Sequence, residues 1–240
     1  MKKIAFYVEG QSELFFINKL LIEIAGQKNI ELELQQFQGF GQPRKTIYPK
    51  TTAQPRNPQH FALVFDCMGD GGVKTRILQD AISLFNQGHS EVIGIRDLYP
   101  LTDLFKLENE LINGTVRNNR RITLPLPNNT SMIVAVREIE DWFLAEQHHY
   151  SCIDAALLLD AAQIASLGFN PAIDDLTVRS SSAADDLKAV YRLVSKTYNK
   201  SKNTVERTVE CLDYANLYIN VRHRISKLNE LIIKIDNFLT

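Results

Sequence analysis

Ile4-Ala5-Phe6-Tyr7-Val8 is an apolar run without polar alternation, and it is closed by Glu9 and Gly10. A segment apolar on both faces reads as a strand buried on both sides, the mark of a parallel sheet covered by helices. In open α/β sheets, ligands bind in the crevice beyond the carboxyl ends of the strands. Glu9 is therefore aimed at a cleft, and Gly10 is expected to allow a sharp turn there. Leu14, Phe15, Ile17, Leu20, Leu21 and Ile24 follow at helical spacing and predict an amphipathic helix opening at Gln11 or Ser12.

Two more apolar strands end in the same way. Phe61–Phe65 leads to Asp66, followed by a glycine-rich turn at 69–72 and a helical pattern from Val73 to Phe85; Glu91–Arg96 leads to Asp97. Three strands delivering acids to one sheet edge are expected to bring Glu9, Asp66 and Asp97 within reach of one another. Carboxylates packed together repel unless one takes a proton or a cation intervenes. Oxygen-only ligation suits magnesium or manganese, and Mg2+ or Mn2+ is the expected cofactor.

Val8-Glu9-Gly10-Gln11-Ser12-Glu13 resembles the opening motif of TOPRIM domains, the metal-dependent fold of topoisomerases, primases and overcoming-lysogenization-defect nucleases. The closer resemblance is to bacterial TOPRIM-like proteins grouped as domain of unknown function 4276. Asp97-Leu98-Tyr99-Pro100-Leu101-Thr102-Asp103 and Arg137-Glu138-Ile139-Glu140-Asp141-Trp142-Phe143-Leu144-Ala145 resemble two further stretches of that group, and the helical tail is similar too. The resemblance implies Glu9 as catalytic acid or base and Asp66 and Asp97 as metal ligands. One departure stands out. TOPRIM domains usually carry Asp-x-Asp after the third acidic strand, and here the second position is Tyr99. A substitute ligand is sought in Asp103, Glu138 or Glu140, and Glu13, one helical turn beyond Glu9, could share the ion. If the strand at Met132–Val136 continues, Glu138 and Glu140 point to one face; if a helix has begun, they diverge by about 200 degrees.

The expected architecture is α/β: a mainly parallel TOPRIM/Rossmann-like sheet flanked by helices over residues 1–146, with a helical extension over 147–240. Glu31–Phe37 alternates like an edge strand with one wet face. Gln38–His60 reads as a long irregular loop carrying Arg44, Lys45, Lys50 and Arg56, suited to phosphate contacts. Arg117, Arg120 and Arg121 form a second basic turn. In the tail, helices are expected over Ile153–Leu167, Ala184–Lys196 and from Thr204 onward. Lys188, Arg192, Lys196, Lys200 and Lys202 recur there beside Tyr191 and Tyr198, either as a nucleic-acid platform or as a solvated helix face.

Charge and cysteine usage narrow the function. The net charge of −1 lacks the basic excess of proteins that bind nucleic acid by counterion release alone, which favours an enzyme whose metal helps hold phosphate, or a subunit that borrows affinity. Three cysteines, Cys67, Cys152 and Cys211, without CxxC spacing argue against a disulfide framework or structural zinc. The adjacent His148 and His149 are not read as metal ligands. No apolar run approaches the roughly 18 residues of a membrane span, so a cytoplasmic protein without membrane partners is expected. Two functions are carried forward. One is a magnesium-dependent phosphodiester-processing enzyme, a TOPRIM-type nuclease acting on nucleic acid. The other is a catalytically degenerate TOPRIM module that binds nucleic acid or a partner, such as an ATPase or other subunit of a bacterial defence system; a homodimer is also open. A dinucleotide-binding protein fits poorly, because the first turn lacks a glycine-rich fingerprint and would present Glu9 to the phosphates.

Overall fold

The computed structural model describes the backbone of all residues except 27, 39–45 and 118–119, and additionally leaves the side chains of 37–38, 46–48, 70, 116–117 and 120–121 undescribed. The chain runs β1 (Lys2–Val8), α1 (Gln11–Ala25), β2 (Ile30–Gln38), β3 (Thr46–Ala53), β4 (His60–Asp66), α2 (Asp70–Asn86), β5 (His89–Asp97) and α3 (Leu104–Asn113). A small hairpin, β6 (Val116–Arg117) and β7 (Arg120–Arg121), precedes β8 (Thr130–Ala135). Helices α4 (Glu140–Ala145), α5 (His149–Ile153), α6 (Ala161–Leu167), α7 (Ala183–Arg192), α8 (Lys202–Cys211), α9 (Tyr214–Ile219) and α10 (Ser226–Leu239) complete it.

The main sheet has the order β3-β2-β4-β1-β5-β8, parallel throughout except for β3, which pairs antiparallel with β2. The unbroken apolar character of β1 has the predicted cause. Ile4, Phe6 and Val8 enter one core with α1 and α10, whereas Ala5 and Tyr7 enter a second core with Val73, Ile77 and Ala81 of α2 and Leu107 and Leu111 of α3. Helices therefore cover both faces, and the fold is α/β as expected. The first core runs without interruption from these strand residues to Leu187, Val205, Leu231 and Ile232 of the tail. Among the described residues, no helix is long and apolar enough to cross a membrane.

Several local expectations are corrected. β2 is not an edge strand: part of the segment read as a loop, Thr46–Ala53, forms β3 and takes the edge. Thr46, Thr51 and Thr52 supply β-branched residues there, and Pro49 is tolerated because an edge position is where proline can sit in a sheet. Gly10 is extended (φ −162), a conformation any residue adopts, so the turn into α1 does not depend on glycine. The helix expected over Ile153–Leu167 is shorter: Ile153 is the last residue of α5, and α6 begins only at Ala161, where Asp160 accepts the Gln163 N–H to start it. The helix expected over Ala184–Lys196 ends at Arg192, and the two tyrosines read beside its cations, Tyr191 and Tyr198, are buried at 0% and 1% exposure, which removes the aromatic half of a surface platform. Cys152 and Cys211 are joined by a disulfide with Cα atoms 5.6 Å apart, and only Cys67 is free. Their 59-residue separation concealed that α5 and α8 are packed neighbours.

Candidate metal centre

The strand order decides which acids meet. Neighbours β1, β5 and β8 point their carboxyl ends at one edge, and those ends deliver Glu9, Asp97 and the segment Arg137–Glu140. Single carboxylate oxygens of Asp97, Glu138 and Glu140 lie within 4.8 Å of one another, and all three residues are buried. The question left open by the Glu138/Glu140 spacing resolves in an unexpected way. Glu138 lies in the bend after β8 and Glu140 is the first residue of α4, yet both carboxylates reach the same point.

Each acid is fixed by donors from a different element. Asp97 Oδ1 accepts the Ile139 N–H at 2.9 Å, and its own N–H donates to Glu9 Oε2 at 3.1 Å. Glu138 Oε2 accepts the Ala184 N–H in the first turn of α7 at 2.9 Å, where a helix N-terminus favours negative charge. Glu140 is fully buried, and its Oε1 accepts the Ser12 hydroxyl at 2.8 Å and the Tyr198 hydroxyl at 2.7 Å. Among the described residues, its Oε2 accepts no hydrogen bond. Glu13, also buried, turns back to accept the Gly10 N–H at 3.0 Å.

A lysine from the tail enters this cluster. Lys200 Nζ lies 2.9 Å from Glu138 Oε1, 3.2 Å from Glu140 Oε2 and 3.8 Å from Asp97 Oδ2. The contact with Glu140 is an ion pair without hydrogen-bond geometry, which is why Oε2 still counts as unbonded. Burial works against the ammonium, but Glu140, Asp97 and Glu138 outweigh it and raise the lysine above its usual range. One ammonium does not neutralise the group. Burial, reinforced by Glu13 and Glu140, pushes Asp97 well above the usual carboxylate range. Burial and the neighbouring Glu140 push Glu13 up to about 8.

The remaining candidates are placed elsewhere. Asp66 ends β4, which lies on the far side of β1 from β5, about 10 Å away by strand spacing. Its Oδ1 accepts the Met68 N–H at 2.8 Å, and it is not among the three clustered acids. Asp103 caps α3 by accepting the Lys106 N–H. Tyr99 stands 42% exposed on the loop after β5. Lys50 is exposed on β3; Arg44 and Lys45 lie outside the described residues, as do the side chains of Arg117, Arg120 and Arg121. The residues that sequence reasoning did not assign to the site are Ser12, Tyr198 and Lys200. The signal for Lys200 was indirect: an acidic cluster needs a counter-cation, and the tail is where unassigned lysines recur.

Chemically, the cluster is a set of hard oxygen donors with excess negative charge, suited to a divalent cation such as magnesium or manganese. The unbonded Oε2 of a fully buried glutamate supports that fit. No family model matches the chain, and neither a curated protein nor a solved structure matches it.

Proposed function

We propose that the chain is a metal-dependent phosphodiester-processing enzyme of TOPRIM type, a nuclease acting on nucleic acid with Mg2+ or Mn2+. The observation that carries this reading is the convergence of Asp97, Glu138 and Glu140 within 4.8 Å at the carboxyl edge of a parallel sheet. In this reading the three acids hold the ion, with Glu138 and Glu140 standing in for the acid that Tyr99 replaces. The ion supplies an activated water and stabilises charge on the leaving oxygen. Glu9, which accepts the Asp97 N–H, is the candidate for moving a proton at that edge. Asp66, two strands from Asp97, contributes from the neighbouring strand end rather than as a ligand of the same ion.

Calorimetric titration of Mn2+ and Mg2+ into the native chain and Asp97→Asn tests the reading, with cleavage of single- and double-stranded DNA and RNA followed in the same buffers. Binding and cleavage in the native chain, both lost in the variant, are expected. Absence of metal binding in the native chain overturns it. A second reading, a catalytically degenerate module that binds nucleic acid or a partner, draws support from Lys200, which already occupies the cluster with a cation. Nucleic-acid binding without metal binding or cleavage is the outcome that favours it.

A further inference from the structure

The cation in the acidic cluster comes from the chain itself. Lys200 sits between α7 and α8, in the tail, and contacts Asp97 from the end of β5 together with Glu138 and Glu140 from the segment after β8. An ammonium among three oxygens needs separations near 2.7 to 2.9 Å, about the reach of a charge-assisted hydrogen bond. A magnesium ion needs about 2.0 to 2.1 Å. Both cations would use the same oxygens, including the Glu140 Oε2 that no hydrogen bond claims.

The burial of the four groups is uneven in a way that matters. The side chains of Asp97, Glu138 and Glu140 are 6%, 9% and 0% exposed, whereas that of Lys200 is 39% exposed. The acids are locked in from behind by Ile139 N–H, Ala184 N–H, Ser12 and Tyr198, and none of those bonds involves the lysine. The ammonium can therefore withdraw toward solvent while the carboxylates keep their positions. The backbone of Lys200 is left-handed (φ 53), a conformation that disfavours any residue with a Cβ. Such strain persists where surrounding interactions over-determine it, and it collects at switching sites.

We propose that Lys200 is a displaceable internal counter-cation, holding the place of the divalent ion among Asp97, Glu138 and Glu140 and leaving it when that ion binds. This rests on the metal-binding reading above. It accounts for a cluster that is both acidic enough to bind metal and already filled. The lysine keeps the acids assembled in the metal-free protein, and the chain then binds metal only in the fraction of molecules whose lysine has swung out.

Two measurements on the full chain test it. In the first, the native chain is treated with an amine-acylating reagent with and without Mn2+, and modification of Lys200 is read by peptide mass spectrometry. Modification is expected to rise on addition of Mn2+. In the second, Mn2+ is titrated into Lys200→Met and Lys200→Arg with thermal unfolding alongside. The methionine variant is expected to bind at least about tenfold more tightly than the native chain, the gain for a site freed from occlusion in nine-tenths of molecules. Its unfolding temperature should fall without Mn2+ and recover with it, whereas the arginine variant keeps the cation and gains no affinity. If Lys200→Met folds only with Mn2+ present, that also supports the proposal; failure to fold even with Mn2+ overturns it. Binding by the native chain with unchanged Lys200 labelling, or with no gain in Lys200→Met, overturns the counter-cation role and leaves the metal site standing. No Mn2+ binding by the native chain or by either variant removes the metal site and this inference with it.

Discussion

Replacing Arg137 by methionine strips a buried cation from two buried carboxylates at the point where the sheet edge meets the tail. Arg137 is 5% exposed; its Nε and one terminal nitrogen grip Asp141, and the other donates to Asp186 Oδ2 and to the Ser181 carbonyl, both at 2.9 Å. Asp186 keeps Arg179, which donates two bonds at 2.8 Å, and the Ser181 hydroxyl. The loss therefore falls on Asp141, which burial already pushes above the usual carboxylate range in spite of Arg137. Two routes give similar magnitudes. An unpaired buried charge left by removing one partner costs about 3 to 5 kcal/mol. Protonating a carboxyl of ordinary pKa about 3.9 at neutral pH costs about 4 kcal/mol. Methionine refills much of the apolar stem, so Arg137→Met should lose about 4 kcal/mol, read as a fall in the urea midpoint at constant slope. The double variant Arg137→Met with Asp141→Leu should recover most of this, because no uncompensated charge remains. A single-variant loss below about 1 kcal/mol, the scale of an exposed pair, would refute the reasoning. So would a double variant no more stable than the single one.

Two other expectations concern the tail. Burial acts to raise the fully buried Glu146, but donation from His149, Asn216 and the backbone of Asp213 and His148 outweighs it and holds the carboxyl below the usual range. A depressed acid contributes stability that is complete above its unfolded pKa of about 4.3 and is lost as pH falls through the lower folded value; urea midpoints should therefore drop more steeply below about pH 4 in the native chain than in Glu146→Gln. The Cys152–Cys211 bond closes a loop of 59 residues, so reduction should cost up to about 4 kcal/mol of stability. Peptide mapping without reductant should recover the two cysteines as one linked pair, and free thiols at both positions would dispose of this expectation.

The layers of the fold were legible because burial on two faces leaves a mark in composition. Ile4–Val8, Phe61–Phe65 and Val92–Ile95 are apolar without alternation, and only a strand covered on both sides requires that. Thr46–Ala53 left no such mark. It is an edge strand containing Pro49 and Lys50, and both residues read as loop signals because an unpaired edge is where a sheet tolerates them. The helical tail was visible in outline, but its helices are short, and their ends are set by capping side chains such as Asp160, Ser182 and Asp213. Those caps are local and weak against the hydrophobic period, so helix boundaries drifted.

The site divides along a different line. Asp97 was readable because a strand end places its own side chain, and Glu138 and Glu140 were readable as candidate ligands beside a strand, with their convergence left open by the spacing. Convergence depends on sheet order: β5 and β8 are neighbours, whereas β4, with Asp66, is separated from β5 by β1. Sequence spacing carries no information about that order. Lys200 is the harder case. It lies 62 residues beyond Glu138, its nearest acidic partner, in a polar stretch that looks like solvated surface. Its approach needs a left-handed turn that no residue type there announces. What the sequence did contain was acids gathered at one sheet edge, a cluster that calls for a cation within it. An answer supplied by the chain itself has to come from wherever a lysine can be brought by folding, and here it came from the tail. The tail thus completes the electrostatics of the sheet edge: truncating it would strip Leu187, Val205, Leu231 and Ile232 from the first core and leave Asp97, Glu138 and Glu140 facing one another without Lys200.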